Sequence, residues 1–191
     1  MAIVSTIPTI ISGCRKNSEQ VRAEAEAKER AGKEKELMSE RTKSLAREKY
    51  LLGREKGKSR YYREAIDLLN EAEQLDVRIK LQTQLFRNSM ADDMLKVAAE
   101  MMEDGIIDDA GKILEMLDSR KHFNKHLAKT AEGKRTLEWY RNGYAKFNKA
   151  QQSIASYRTA EAIAILKEII LEYEKTRLAD KSAAILLTLG Q

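Results

Sequence analysis

Apolar positions are spread unevenly along this chain, and the change in their pattern marks its parts. From Arg15 to Tyr50 no broad apolar stripe forms; Leu37, Met38, Leu45 and Leu52 are the first large apolar side chains at helical spacing. Glu24–Lys28, Glu26–Arg30 and Glu29–Lys33 stand four apart, acid first. That order supports an isolated helix by about 0.2–0.5 kcal/mol per pair. The pattern predicts a charged, largely exposed helix over 18–50, with Ser18 available to cap its start, that gains a packing face only late. Met38, Leu45 and Leu52 fill one seam position per heptad, where a coiled coil uses two.

From Tyr50 the pattern changes to alternating small and large apolar residues. In YLLGREKGKSRYYREAIDLLNEAEQLDV, small residues at Gly53, Ala65 and Ala72 allow two helix backbones to approach, and Leu69 fills the space between them. KGKS supplies the turn of an antiparallel helical hairpin. A second hairpin is predicted around Ala98, a Gly105 turn, Ala110, Leu114 and Leu117, and a third around Ala150, Ala162, Leu166 and Ile169.

These stretches resemble the tetratricopeptide family, whose hairpin carries Leu-Gly in its first helix and then Tyr-x-x-Ala, a large residue and a further Ala in its second. Leu52-Gly53, Tyr62, Ala65, Leu69 and Ala72 match in order and spacing, whereas Lys56 and Val77 depart from it. The anchor alanines Ala65, Ala110 and Ala162 are 45 and 52 residues apart, against about 34 in a tandem array. Residues 77–93 and 119–137 are therefore expected to form extra helical segments. Near the C-terminus, Tyr173, Thr176, Ala179 and Ala183 resemble the closing repeats of envelope lipoproteins of that family, with Glu174 where proline is expected. Thr176 or Asp180 is expected to cap the last helix. The resemblance implies a non-catalytic scaffold whose stacked hairpins bind a protein or peptide.

Composition is consistent with an all-α chain of antiparallel hairpins: 34% charged residues, 42% hydrophobic, one Pro and nine Gly in 191 residues. No run of about 18 apolar residues exists to span a membrane. The net charge of +5 is unevenly placed, with residues 15–64 at +6, 65–120 at −7 and 121–191 at +6. Basic and acidic residues interleave at helical spacing, and aromatics are 6% of the chain, so nucleic acid is not an expected partner.

Candidate chemistry is sparse. His122 and His126 stand four apart and are read as a half-exposed pair sharing one helix face, a metal site being the alternative. Asp92-Asp93, Glu103-Asp104 and Asp108-Asp109 lack the spacing of a calcium loop and are expected at helix starts or turns. No phosphate loop, nucleophile elbow or dinucleotide fingerprint occurs, so no catalytic, cofactor or metal residue is assigned and the chain is not expected to be an enzyme. Met90, Met94, Met101, Met102 and Met116 are read as adaptable core. Trp139, Tyr140 and Tyr144, with Phe147, form the one aromatic cluster, either hairpin packing or a partner-facing patch.

The one cysteine, Cys14, ends MAIVSTIPTIISGC. Ile11-Ser12-Gly13-Cys14 resembles a lipoprotein signal motif, which implies lipidation at Cys14 and a membrane-anchored place in the cell envelope. Pro8 interrupts the apolar run and no Lys or Arg precedes it, so an uncleaved terminus on a cytoplasmic adaptor is the alternative. The expected organisation is a signal over 1–14, a charged stalk over 15–49 and a tetratricopeptide-like domain over 50–191.

Overall fold

The computed structural model describes residues 18–118 and 120–190. Cys14 and its motif lie outside the described residues. The chain is all-α, with no strand among the described residues. Its contacts divide it into one unit up to Ser44 and a second from Leu45 onward, against an expected boundary at 49.

The first unit is the exposed, charged part of helix α1 (Ser18–Lys58). Glu29 and Lys33 are 2.7 Å apart, and Glu26 and Arg30 are 3.8 Å apart. Every residue from Val21 to Arg41 is exposed, so the pattern of acid–base pairs without an apolar stripe is realised as a helix with no buried face.

The second unit contains the end of α1 followed by α2 (Tyr62–Leu75), α3 (Lys80–Asp104), α4 (Ile107–Leu117), α5 (Arg120–Phe123), α6 (Leu127–Ala155), α7 (Thr159–Glu172) and α8 (Arg177–Thr188). Three turns, α1–α2, α3–α4 and α6–α7, are closed the same way. Arg60, Gly105 and Tyr157 each adopt a left-handed φ, of 65°, 88° and 60°. The next amide donates five residues back, Tyr61 to Lys56, Ile106 to Met101 and Arg158 to Ser153, at 2.8–2.9 Å. This closure satisfies carbonyls that a helix end leaves without partners.

Each left-handed residue fixes the same register around it. Seven residues before it stands a buried small residue, Gly53, Ala98 or Ala150. Five residues after it come the anchor alanines Ala65, Ala110 and Ala162, all at 0% exposure. Leu69, Leu114 and Leu166 follow at nine, and Ala72, Leu117 and Ile169 at twelve, all buried. The backbones approach closely at the small positions: a Cβ on Gly53 would stand 3.3 Å from the Ala65 carbonyl oxygen and 3.2 Å from Leu69 Cγ. Each buried leucine contributes about 1.5–3 kcal/mol relative to an exposed one. A second small position was not anticipated. Ala46, Ala91 and Gly143, fourteen residues before each turn, are also buried.

The wide spacing of the hairpins has a simple origin. Residues 80–93 and 127–137 do not form separate helices; they are the leading turns of the long helices α3 and α6. Only Val77–Ile79, α5 and the 3-10 turn Asn124–His126 are short additions. No proline interrupts either long helix, so nothing removes a backbone donor there. Likewise α1 runs through Lys58, and the expected KGKS turn falls at Ser59–Arg60.

Helix α6 packs on both α3 and α4, and α8 packs on both α6 and α7, so the second and third hairpins each receive the helix that follows them. Thr176 caps α8 by accepting from the Ala179 amide at 3.2 Å. Lys175, at φ 66°, makes the sharp turn that proline was expected to make.

Candidate partner-binding groove

Helices α2 and α4 both lie on α3 and leave an open groove of about 400 Å³ between them. Val97 and Met101 of α3, and Ile113 and Met116 of α4, supply its apolar lining, with Tyr61 at one end. The lining follows from the helical register. Val97 and Met101 stand four apart and Ile113 and Met116 three apart, so each pair shares one face of its helix, with Val97 and Ile113 buried and Met101 and Met116 half-buried. Tyr61 is 57% exposed, with Lys56 Nζ 4.9 Å from its ring centroid. The groove continues past Arg63 and Met116 toward Ile66 and His122.

Charges stand on the rim. Lys56 pairs with Glu64 and Lys112 with Asp109, at 2.7 and 2.8 Å. Their carboxylate partners are the largest cause holding both amines above the usual lysine range. Arg60 and Arg63 line the same groove and, among the described residues, have no carboxylate within 4 Å. Beneath the rim the Tyr62 hydroxyl donates to Asp93 at 2.7 Å. Burial, then that carboxylate, pushes the phenol above the ordinary tyrosine range.

The aromatic cluster, read as hairpin packing or a partner-facing patch, spans both environments. Tyr140 is buried at 4% exposure and its hydroxyl donates to Glu103. Burial first, then Glu103, raises its pKa. Tyr144 is half-buried and donates to the Glu103 carbonyl at 2.7 Å. Trp139 keeps 40% of its surface and packs against Tyr173 at 4.3 Å between centroids; Phe147 is buried. Arg177 ties α8 into the same junction through its amide to Glu103 and its guanidinium to Asp104. These rings join α3, α6, α7 and α8.

The histidines are separated. His122 is half-buried on α5, whereas His126 is 6% exposed in the following 3-10 turn, so they do not share one helix face. His126 Nε2 is 3.3 Å from Asp92 Oδ1, which also meets Lys129 at 3.2 Å. Among the described residues no group of three or more His, Cys, Asp or Glu is arranged to hold a metal ion. Asp92-Asp93 lies within α3 rather than at a helix start; Asp108-Asp109 does occupy the first turn of α4. Met90, Met94 and Met102 are buried, and Met101 and Met116 are half-buried.

One polar cluster had no counterpart in the sequence reading. Arg87, 2% exposed on α3, donates to Glu73 and to Asn70 Oδ1 of α2, the latter at 2.9 Å. The Thr83 hydroxyl also donates to Glu73. Thr83 and Arg87 stand four apart in KLQTQLFRNSM; that shared helix face was the available signal.

The chain matches no family model, no curated protein and no solved structure. No helix among the described residues is long and apolar enough to cross a membrane.

Proposed function

We propose that this chain is a non-catalytic protein-binding scaffold built from tetratricopeptide-like hairpins and anchored to an envelope membrane through Cys14. The observation that carries the scaffold reading is the open apolar groove between α2 and α4, held by hairpins of repeated register. Three features support the tetratricopeptide-like character: the small–small–large spacing, the similarly closed turns, and the packing of α6 on α3 and α4 and of α8 on α6 and α7. The charged, exposed first unit suits a tether.

The scaffold is tested by affinity capture from detergent-solubilised membranes of the source cells. Saturable enrichment of the same protein in independent preparations supports it, and recovery of background proteins alone refutes it. The anchor is tested by Cys14→Ser. A high-salt wash screens attraction between basic residues and anionic lipid while leaving acyl chains in place. Wild type is expected in the washed membrane fraction, and the variant in the soluble fraction or as uncleaved precursor. Equal release of both supports the cytoplasmic adaptor instead.

A further inference from the structure

The groove's unpaired rim charges narrow the chemistry of its occupant. Lys56 and Lys112 are paired with carboxylates of the chain, but Arg60 and Arg63 line the same groove with no such partner among the described residues. Arg60 also holds a left-handed φ of 65° in the α1–α2 turn, a conformation that favours glycine or asparagine over arginine. A long cationic side chain thus stands where turn chemistry does not select one. The apolar strip of Val97, Met101, Ile113 and Met116 lines the same groove, together with Glu64 and Asp109, the carboxylates already paired with Lys56 and Lys112. Methionine side chains adapt to different apolar shapes. The volume, about 400 Å³, is that of a site for a few side chains, and the groove is open along its length rather than closed around a small molecule.

Resting on the scaffold reading above, we infer that the groove between α2 and α4 binds a peptide segment of a partner protein that presents apolar side chains to Met101 and Met116 and an acidic side chain to Arg60 and Arg63. The acidic group compensates cations that the fold leaves unpaired, and the apolar side chains remove the groove floor from water. Arginine suits this role because its planar fork meets a carboxylate with two donors.

The test is selection of a randomised 12-residue peptide library, displayed on phage, against the full chain, followed by synthesis of the recovered peptides. Arg60→Asn combined with Arg63→Glu removes the cationic rim; asparagine tolerates the left-handed turn. Lys167→Glu on exposed α7 is the control. The expected result is peptides with Asp or Glu close to Leu, Ile, Met or Phe. Their dissociation constants should rise about tenfold in the double variant, the size of two rim ion pairs, and stay unchanged in the control. In methyl spectra of the wild-type chain, Met101 and Met116 should shift on binding while fully buried Met94 does not; this readout stands even if the double variant folds poorly. Peptides that lack acidic residues, bind the folded double variant equally well, or leave both methyls unmoved overturn the groove assignment while leaving a scaffold with another binding surface. Recovery of no binding peptide counts against both readings.

Discussion

Gly143→Ala tests how tightly the third hairpin is closed. Gly143 occupies, in the third repeat, the position of Ala46 and Ala91 in the first two, and all three are buried. It is glycine because the end of α7 and the start of α8 press on it. A Cβ there would lie 2.6 Å from Tyr173 Cε1 and 2.7 Å from Leu178 Cδ2. The ring cannot swing aside easily: Tyr173 is 2% exposed, stacks on Trp139, and its hydroxyl donates to the Trp139 carbonyl at 3.1 Å. Overpacking of this kind costs about 1–3 kcal/mol. Replacing glycine inside a helix returns about 1 kcal/mol, so the net loss at a strained site should reach about 2 kcal/mol. For a chain of this size that lowers the melting midpoint by up to roughly 8 °C. Gly111→Ala is the matched control, also inside a helix. Its Cβ would meet only Leu137 Cδ2 at 3.5 Å, an ordinary contact, so the variant should be stabilised by about 0.5–1 kcal/mol. Thermal melts followed by circular dichroism compare the two. A Gly143→Ala midpoint raised as far as that of Gly111→Ala would refute the close approach of α6, α7 and α8 argued here.

The anchor alanines give a second test: Ala65→Leu, Ala110→Leu and Ala162→Leu, each at a fully buried site, should each cost about 1–3 kcal/mol. Unchanged midpoints for all three would mean that the repeat register is wrong. Arg87→Ala removes the guanidinium that pairs with Glu73. Since Glu73 keeps 21% side-chain exposure and can recover some hydration, the loss in urea titration should be about 2–3 kcal/mol, and Glu73→Ala should add less than its separate effect in the double variant. The pH dependence has a definite sign. Lys129 first holds the Asp92 carboxyl below its usual range, and Lys146 first does so for Glu168. A carboxyl lowered by folding contributes stability that is present at neutral pH and lost as pH falls through the carboxylate range, below about 4. The midpoint of Asp92→Asn/Glu168→Gln should therefore fall less than that of wild type between pH 6 and 3, and high salt should shrink the difference.

The hairpins were legible because their register is written in small residues, which tolerate few substitutes where backbones touch. Gly53, Ala65, Ala98, Ala110, Ala150 and Ala162 mark the crossings, and Gly105 marks one turn. The other two turns are made by Arg60 and Tyr157, residues whose intrinsic preference does not announce a left-handed conformation. The continuity of α3 and α6 was hidden in their leading turns, since a partly exposed helix face and a separate segment share one composition. Arg87 looked like surface because burial of a cation depends on Asn70 and Glu73, which are distant in sequence. The aromatic residues were visible as a cluster, but which rings would be internal depended on Glu103 and Tyr173, brought there by α3 and α7. The groove was not visible at all, because its walls come from two helices and its floor from a third.

Whether that groove is where the chain meets its partner is tested most directly by site-specific photo-crosslinking in the source cells. A benzophenone side chain replaces Tyr61, 57% exposed at the end of the groove, or Tyr157, 93% exposed in the α6–α7 turn. Both substitutions keep an aromatic ring, so neither perturbs the fold by changing chemical class. Irradiation should join one partner protein to the Tyr61 position and leave the Tyr157 position unjoined. No adduct at Tyr61, or equal adducts at both positions, would contradict the assignment of the groove as the binding surface.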